Sequence, residues 1–235
     1  MTSYSADDAP LTRSGFLVTL DGPVGVGKTT VTALVTARLA AGGMPALATR
    51  QPSGSPLGVL ARASTHDLRG LALTFLMAAD RHHHYEHVIS PGLAAGKVVV
   101  CDRYVTTAVV LDQADGADPE FIWSIYRYLG WPDLAVVLTG DPATCRARAE
   151  LRGLSGRFHQ GGITAAEVEA SRYASTSAML ADCGYPIATV PIGDLNAEDV
   201  ADAVTALIRE RMSNPRTAGQ EGGGDEGRAA LSRGL

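Results

Sequence analysis

Eight consecutive residues narrow the choice of fold more than anything else in this chain: Gly22-Pro23-Val24-Gly25-Val26-Gly27-Lys28-Thr29, a complete match to G-x-x-x-x-G-K-[ST]. The chemistry of that spacing is anion binding. Glycines let successive backbone N–H groups turn inward around phosphate oxygens. A helix expected to begin near Gly27 adds the unpaired donors and positive dipole end of its N-terminus. Lys28 is placed to reach the β- and γ-phosphates of a nucleotide, and the Thr29 hydroxyl to ligate Mg2+. An apolar run, Phe16 to Asp21, precedes the motif and a helical pattern follows it, which is the context the motif requires. Gly22 through Thr30 are therefore read as an ATP site.

The remaining pattern predicts the sheet such a loop needs. Short aliphatic runs recur at residues 45–49, 98–101, 134–138 and 187–190. Helical periodicity lies between them, around 70–94, 118–129, 141–152, 164–182 and 197–211. Buried strands alternating with helices make an α/β fold, a parallel sheet covered on both faces, whose ligands bind beyond the carboxyl ends of the strands. The chain has 235 residues, 46% hydrophobic but only 6% aromatic, enough for one domain with an aliphatic core. That domain is expected over 15–212, between a flexible N-terminus, 1–14, and a Gly- and charge-rich disordered tail, 213–235.

Several function classes are disfavoured. A net charge of −5 argues against a surface that coats nucleic acid, although a pocket needs only a few cations to hold a nucleotide. No run approaches the roughly 18 apolar residues of a membrane span, and the polar N-terminus has no apolar signal core. Cys101, Cys145 and Cys183 are odd in number and widely spaced, as in a reducing compartment, so a cytoplasmic location is expected. His83 and His87 have i, i+4 spacing but no third ligand partner, so they are read as a polar helix face.

A second motif, Val98-Val99-Val100-Cys101-Asp102-Arg103-Tyr104, ends an apolar run on an acid. A carboxylate there can hold the Mg2+ hydration shell and Arg103 can meet a second phosphate; the competing reading is a strand-end salt bridge. There is no N-K-x-D guanine-reading motif, which counts against a GTPase switch. Leu154-Ser155-Gly156 is a faint likeness to transporter ATPases, with no following strand that ends in Asp-Glu.

In order along the chain, further motifs join the loop: Thr49-Arg50-Gln51-Pro52-Ser53-Gly54-Ser55-Pro56-Leu57-Gly58, Ala78-Ala79-Asp80-Arg81, Asp102-Arg103-Tyr104 and Pro132-Asp133-Leu134. Arg148, Arg152 and Arg157 follow. From about Phe16 to Met212 the ordered set resembles the thymidylate kinases. That resemblance implies a five-stranded parallel sheet flanked by helices, usually in a homodimer. It also implies transfer of the ATP γ-phosphoryl, with Mg2+, to a nucleoside monophosphate, dTMP being the best single acceptor.

Residue by residue, Arg50 and Arg103 match positions that face the acceptor phosphate, with Pro52 in the bordering turn. Arg148, Arg152 and Arg157 match a lid-like stretch whose arginines neutralise the transferring phosphoryl; the plainer reading is a solvated basic helix end. Spacing of four puts Arg148 and Arg152 on one helical face. Because position 26 is valine and not arginine, the lid has to supply that charge. Arg81 matches a contact to the base edge.

Departures from the family pattern gather on the acceptor side: Val24 where relatives carry an acid, Met77 for a stacking aromatic, Ala108 and Leu111 beside base and ribose, and Gln51, Ser53 and Gly156. Three readings follow: a dTMP kinase, a kinase of the same fold acting on a modified nucleotide or other phosphorylated metabolite, or a nucleotide-binding regulator with little catalysis.

Overall fold

The computed structural model describes residues 14–153 and 162–214, without the side chains of Pro119 and Glu120. Five parallel strands make one sheet: β1 Phe16–Asp21, β2 Ala46–Arg50, β3 Val98–Asp102, β4 Leu134–Thr139 and β5 Ile187–Pro191. Their order is β2-β3-β1-β4-β5, the predicted five-stranded parallel sheet with helices on both faces. The three inner strands are buried almost end to end, and the two edge strands are more exposed. Continuous apolar runs without a polar face are what a sheet covered on both sides requires.

Alternation along the strands divides the core in two. Val18, Leu20, Val98, Val100, Val136 and Leu138 face one side and pack with α1 (Lys28–Ala41) and α9 (Ala197–Ser213). Leu17, Val99, Cys101 and Ala135 face the other. They meet side chains from α4 (Ser90–Ala94), α5 (Val105–Ala114), α6 (Pro119–Tyr126) and α8 (Gly162–Asp182). The stretch predicted as helical over 70–94 is α3 (Gly70–His84), a π-helical turn Tyr85–Ile89, and α4. Two helices lie where none was expected, α2 (Pro56–Ala63) and α5. The seventh helix, α7 (Pro142–Leu151), starts at an Asp141 side chain that accepts from Thr144 N–H. Among the described residues no helix is long and apolar enough to cross a membrane. Of the expected tail, 213–235, Ser213 is the last residue of α9, and 215–235 lie outside the described residues, as do 1–13 of the expected N-terminus, 1–14.

β1 sits centrally, and the chain leaves it first toward β2 and later toward β4. The order reverses there, so the crevice for a ligand opens at the carboxyl end of β1. Asp102 registers with Leu20, so both acid-bearing strand ends, Asp21 and Asp102, come at that edge one residue apart in register.

Candidate active site

The loop after β1 has the conformation its sequence requires. Gly22, Gly25 and Gly27 all have positive φ, 139°, 80° and 103°. A Cβ at Gly22 would collide with the Leu138 carbonyl, and one at Gly25 with the Cys145 carbonyl. The loop is thus clamped between β4 and α7. At the start of α1 the cap residue, Gly27, has no side chain to satisfy the first N–H groups, which leaves them for an anion. Lys28 is 5% exposed, and its Nζ donates to the carbonyls of Gly22 and Pro23, each at 2.7 Å. Burial, with Arg103 nearby, pulls its ammonium down to about 7, against the opposing pull of Asp102, Glu169 and Asp21.

Thr29 is the next residue, and its hydroxyl donates to Asp102 Oδ2 at 2.5 Å. The other carboxylate oxygen, Oδ1, is buried without a hydrogen-bond partner. A hydroxyl and a carboxylate touching at the loop, with one acceptor oxygen left over, form an all-oxygen donor set that fits Mg2+ and its retained waters.

Asp21 organises what surrounds this pair. Its Oδ1 accepts from the backbone N–H groups of Tyr104 (2.9 Å) and Thr107 (3.0 Å) and from the Thr107 hydroxyl (2.5 Å). A carboxylate from β1 thereby caps α5, which has no side-chain cap of its own. Arg103, between β3 and α5, is the one non-glycine residue with positive φ among the described residues, at 70°. Such a backbone costs about 1–2 kcal/mol in an L-residue. The turn holds Arg103 within electrostatic reach of Lys28 and Glu169. From α8, the Tyr173 hydroxyl lies 3.0 Å from that of Thr107, and Glu169 is one helical turn before it. Both Glu169 carboxylate oxygens face the Val24 N–H, at 3.3 and 3.4 Å. Burial pushes the Glu169 carboxyl up, while Lys28 and Arg103 pull it down.

The acceptor side is built on Asp80. This α3 carboxylate is fully buried and accepts from Ser53 N–H (2.7 Å), Ser53 Oγ (2.5 Å) and Ser55 Oγ (3.2 Å). It pins the turn that carries the cis Gln51–Pro52 peptide. Next to it His84 Nε2 lies 2.6 Å from Thr49 Oγ1, and Nδ1 3.3 Å from Gln51 Nε2. A neutral imidazole donates through one ring nitrogen and accepts through the other, so it joins Thr49 and Gln51 in either tautomer. Burial also pushes this imidazole below its ordinary value. Arg50 ends β2 exposed, with Pro52 half-buried two residues on.

Met77 and Leu111 are half-buried and Ala108 is fully buried. Arg81 is 4% exposed and points into the fold: it donates to Tyr126 Oη at 3.3 Å and lies over that ring, 5.4 Å from its centre. Tyr126 Oη in turn donates to Asp112 Oδ2 at 2.9 Å. Its guanidinium thereby joins α3 to α6.

The lid arginines are divided. Arg148 is half-buried on α7; burial raises the Cys145 thiol, and Arg148 nearby draws it part of the way back. Arg152 is exposed and caps α7, past the last helical residue, Leu151, so the two share a helix face only as far as α7 runs. Arg146 pairs with Glu150 at 2.6 Å. Arg157 and Gly156 lie outside the described residues.

Sequence reasoning passed over Glu169, Asp21, Asp80 and Tyr173. Asp80 stood inside a quoted motif, and its buried carboxylate was the missing signal. Glu169 has no local signal, because its partner is 145 residues away.

Comparison with known proteins agrees with this architecture. The thymidylate kinase family model matches residues 20–170. A thymidylate kinase of Thermomicrobium roseum is 32% identical over 210 residues, covering 86% of this chain and 98% of its own. One of Clavibacter sepedonicus is 35% identical over 196 residues, 74% of this chain and 89% of its own. A probable thymidylate kinase of Pyrococcus horikoshii is 28% identical over 206 residues, 84% and 98%. On the match across the loop, the Asp102 strand and the helices after them, this chain belongs to the thymidylate kinase family.

Proposed function

We propose that the chain transfers the γ-phosphoryl group of ATP, with Mg2+, to dTMP, giving dTDP and ADP. One observation carries the reading: Lys28, Thr29, Asp102 and Arg103 meet at the carboxyl edge of β1 and β3, in a chain of this family. An oxygen of the acceptor phosphate attacks the γ-phosphorus in line, while the bond to the β–γ bridging oxygen breaks and its electron pair leaves on ADP. Lys28 meets the charge on the donor phosphates, and Arg103 and Arg50 hold the acceptor phosphate opposite. Thr29 and Asp102 would hold Mg2+, which when bound neutralises charge on the β- and γ-phosphates. Arg148, Arg152 and Arg157 are assigned to the transferring group, and Met77, Arg81, Ala108 and Leu111 to the border of the base and sugar.

A second reading, a modified nucleotide as acceptor, is favoured by the Arg81 guanidinium turned to Tyr126 and by Met77 in place of a ring. An ADP-release assay across nucleoside monophosphates separates the two. With dTMP the account expects kcat/KM at least about tenfold above the other common nucleotides. Turnover on a modified nucleotide alone selects the second reading, and silence on all overturns both.

A cytoplasmic homodimer belongs to the same proposal. Val59 and Leu60 on α2, and Leu71 and Phe75 on α3, are each more than half exposed. These two helices pack on each other, and exposed apolar side chains on neighbouring helices are what a second copy would cover.

A further inference from the structure

Val24 offers the loop no side-chain acceptor, yet its N–H is not open. A carboxylate from α8 sits on it, with the two oxygens at nearly equal distance, 3.3 and 3.4 Å. That geometry is of an anion straddling a donor, held by the surrounding positive charge more than by one short hydrogen bond. Two cations act on it. Lys28 belongs to the donor side and Arg103 to the acceptor side, and Glu169 feels both. The carboxylate thus sits at the loop within electrostatic reach of cations from both sides of the site.

The placement is built by the fold. Tyr173 follows Glu169 by four residues on the same face of α8, and its hydroxyl is fixed 3.0 Å from Thr107, the residue that Asp21 holds. Glu169 also has somewhere to go. A cleft lies between the loop, α7 and α8, and Val24, Ala149, Ala166 and Glu169 are among its walls.

We propose that Glu169 is a specificity-determining residue for the donor: its carboxylate holds the seat at the Val24 amide that a terminal phosphate takes, and so weakens a nucleoside triphosphate relative to the diphosphate. A diphosphate leaves the carboxylate where it is. A triphosphate either expels it into the cleft or brings like charges together at the loop. This rests on the nucleotide-site reading above.

Titration calorimetry of the full chain with ATP and with ADP, both with Mg2+, tests it. Glu169→Gln keeps the shape and removes the charge; it is expected to tighten ATP about tenfold while moving ADP by less than about threefold. Glu169→Asp, charged but one methylene shorter, is expected to fall between wild type and Glu169→Gln for ATP. Thermal melts of both variants without nucleotide report folding, and Glu169→Asp carries the test if Glu169→Gln melts early. Equal gains for the two nucleotides, no change, or weaker ATP binding overturn the inference and leave the nucleotide site standing. A wild-type chain that binds neither nucleotide overturns the site reading and this inference together.

Discussion

Arg103 shows how strain and chemistry meet in one residue. Its backbone is left-handed, where glycine fits and arginine does not, and its charge faces Lys28 and Glu169. Arg103→Gly is predicted to keep or raise the melting temperature, because relief of about 1 kcal/mol of strain offsets the added freedom of the unfolded chain. Arg103→Ala keeps the strain and should melt lower. Both should lose turnover by about 100-fold or more, as loss of a charge-stabilising group does; unchanged turnover in either would remove Arg103 from the transfer. Lys28 makes a second prediction through its proton. With its ammonium pulled down to about 7, it is largely neutral at pH 8, and phosphate oxygens favour the charged form. ATP binding should therefore take up close to one proton at pH 8 and almost none at pH 6, and affinity should fall as pH rises through about 7. Calorimetry in buffers of different ionisation enthalpy reads that uptake, and its absence at pH 8 contradicts the assignment.

Among the elements, the turn between β2 and α2 depends on a carboxylate from α3. Asp80→Ala removes three hydrogen-bonded partners in a fully buried place, so a loss of about 2–3 kcal/mol in urea unfolding is expected. KM for the acceptor should rise more than kcat falls, because the turn carries Arg50 and Pro52 and not the donor loop. A selective fall in kcat would place Asp80 elsewhere in the mechanism. The five strands were legible in the sequence, since each is a short aliphatic run ending near a turn. α5 was not: Val105, Thr106, Thr107, Val109 and Val110 are β-branched and all buried, so the helix shows no polar stripe and reads like a strand. α2 had a local signal that passed unused, Ser55 capping the Gly58 N–H with Pro56 at the first helical position. The loop, Asp102 and Arg103 were readable because each lies in a contiguous motif. Glu169 and the inward turn of Arg81 were not, because tertiary packing alone decides which way those side chains point.

For the molecule as a whole, the order β2-β3-β1-β4-β5 gathers the donor loop, Asp102 and Arg50 at one edge, while α8 returns an acid to the loop. The exposed apolar side chains of α2 and α3 lie on the elements flanking the acceptor turn. Light scattering after size exclusion should give twice the 24.5 kDa chain mass for wild type and a monomer for Phe75→Glu; a monomeric wild type would rule out the dimer. The central claim is that the glycine loop and Lys28 present a terminal phosphate to an acceptor held opposite by arginines. Its most direct test follows label from γ-phosphate-labelled ATP and Mg2+ into dTDP. The account predicts labelled dTDP with the wild type and at least about 100-fold less with Lys28→Ala at an unchanged circular dichroism spectrum. Equal transfer by the Lys28→Ala protein, or label released only as free phosphate whether or not dTMP is present, would contradict it.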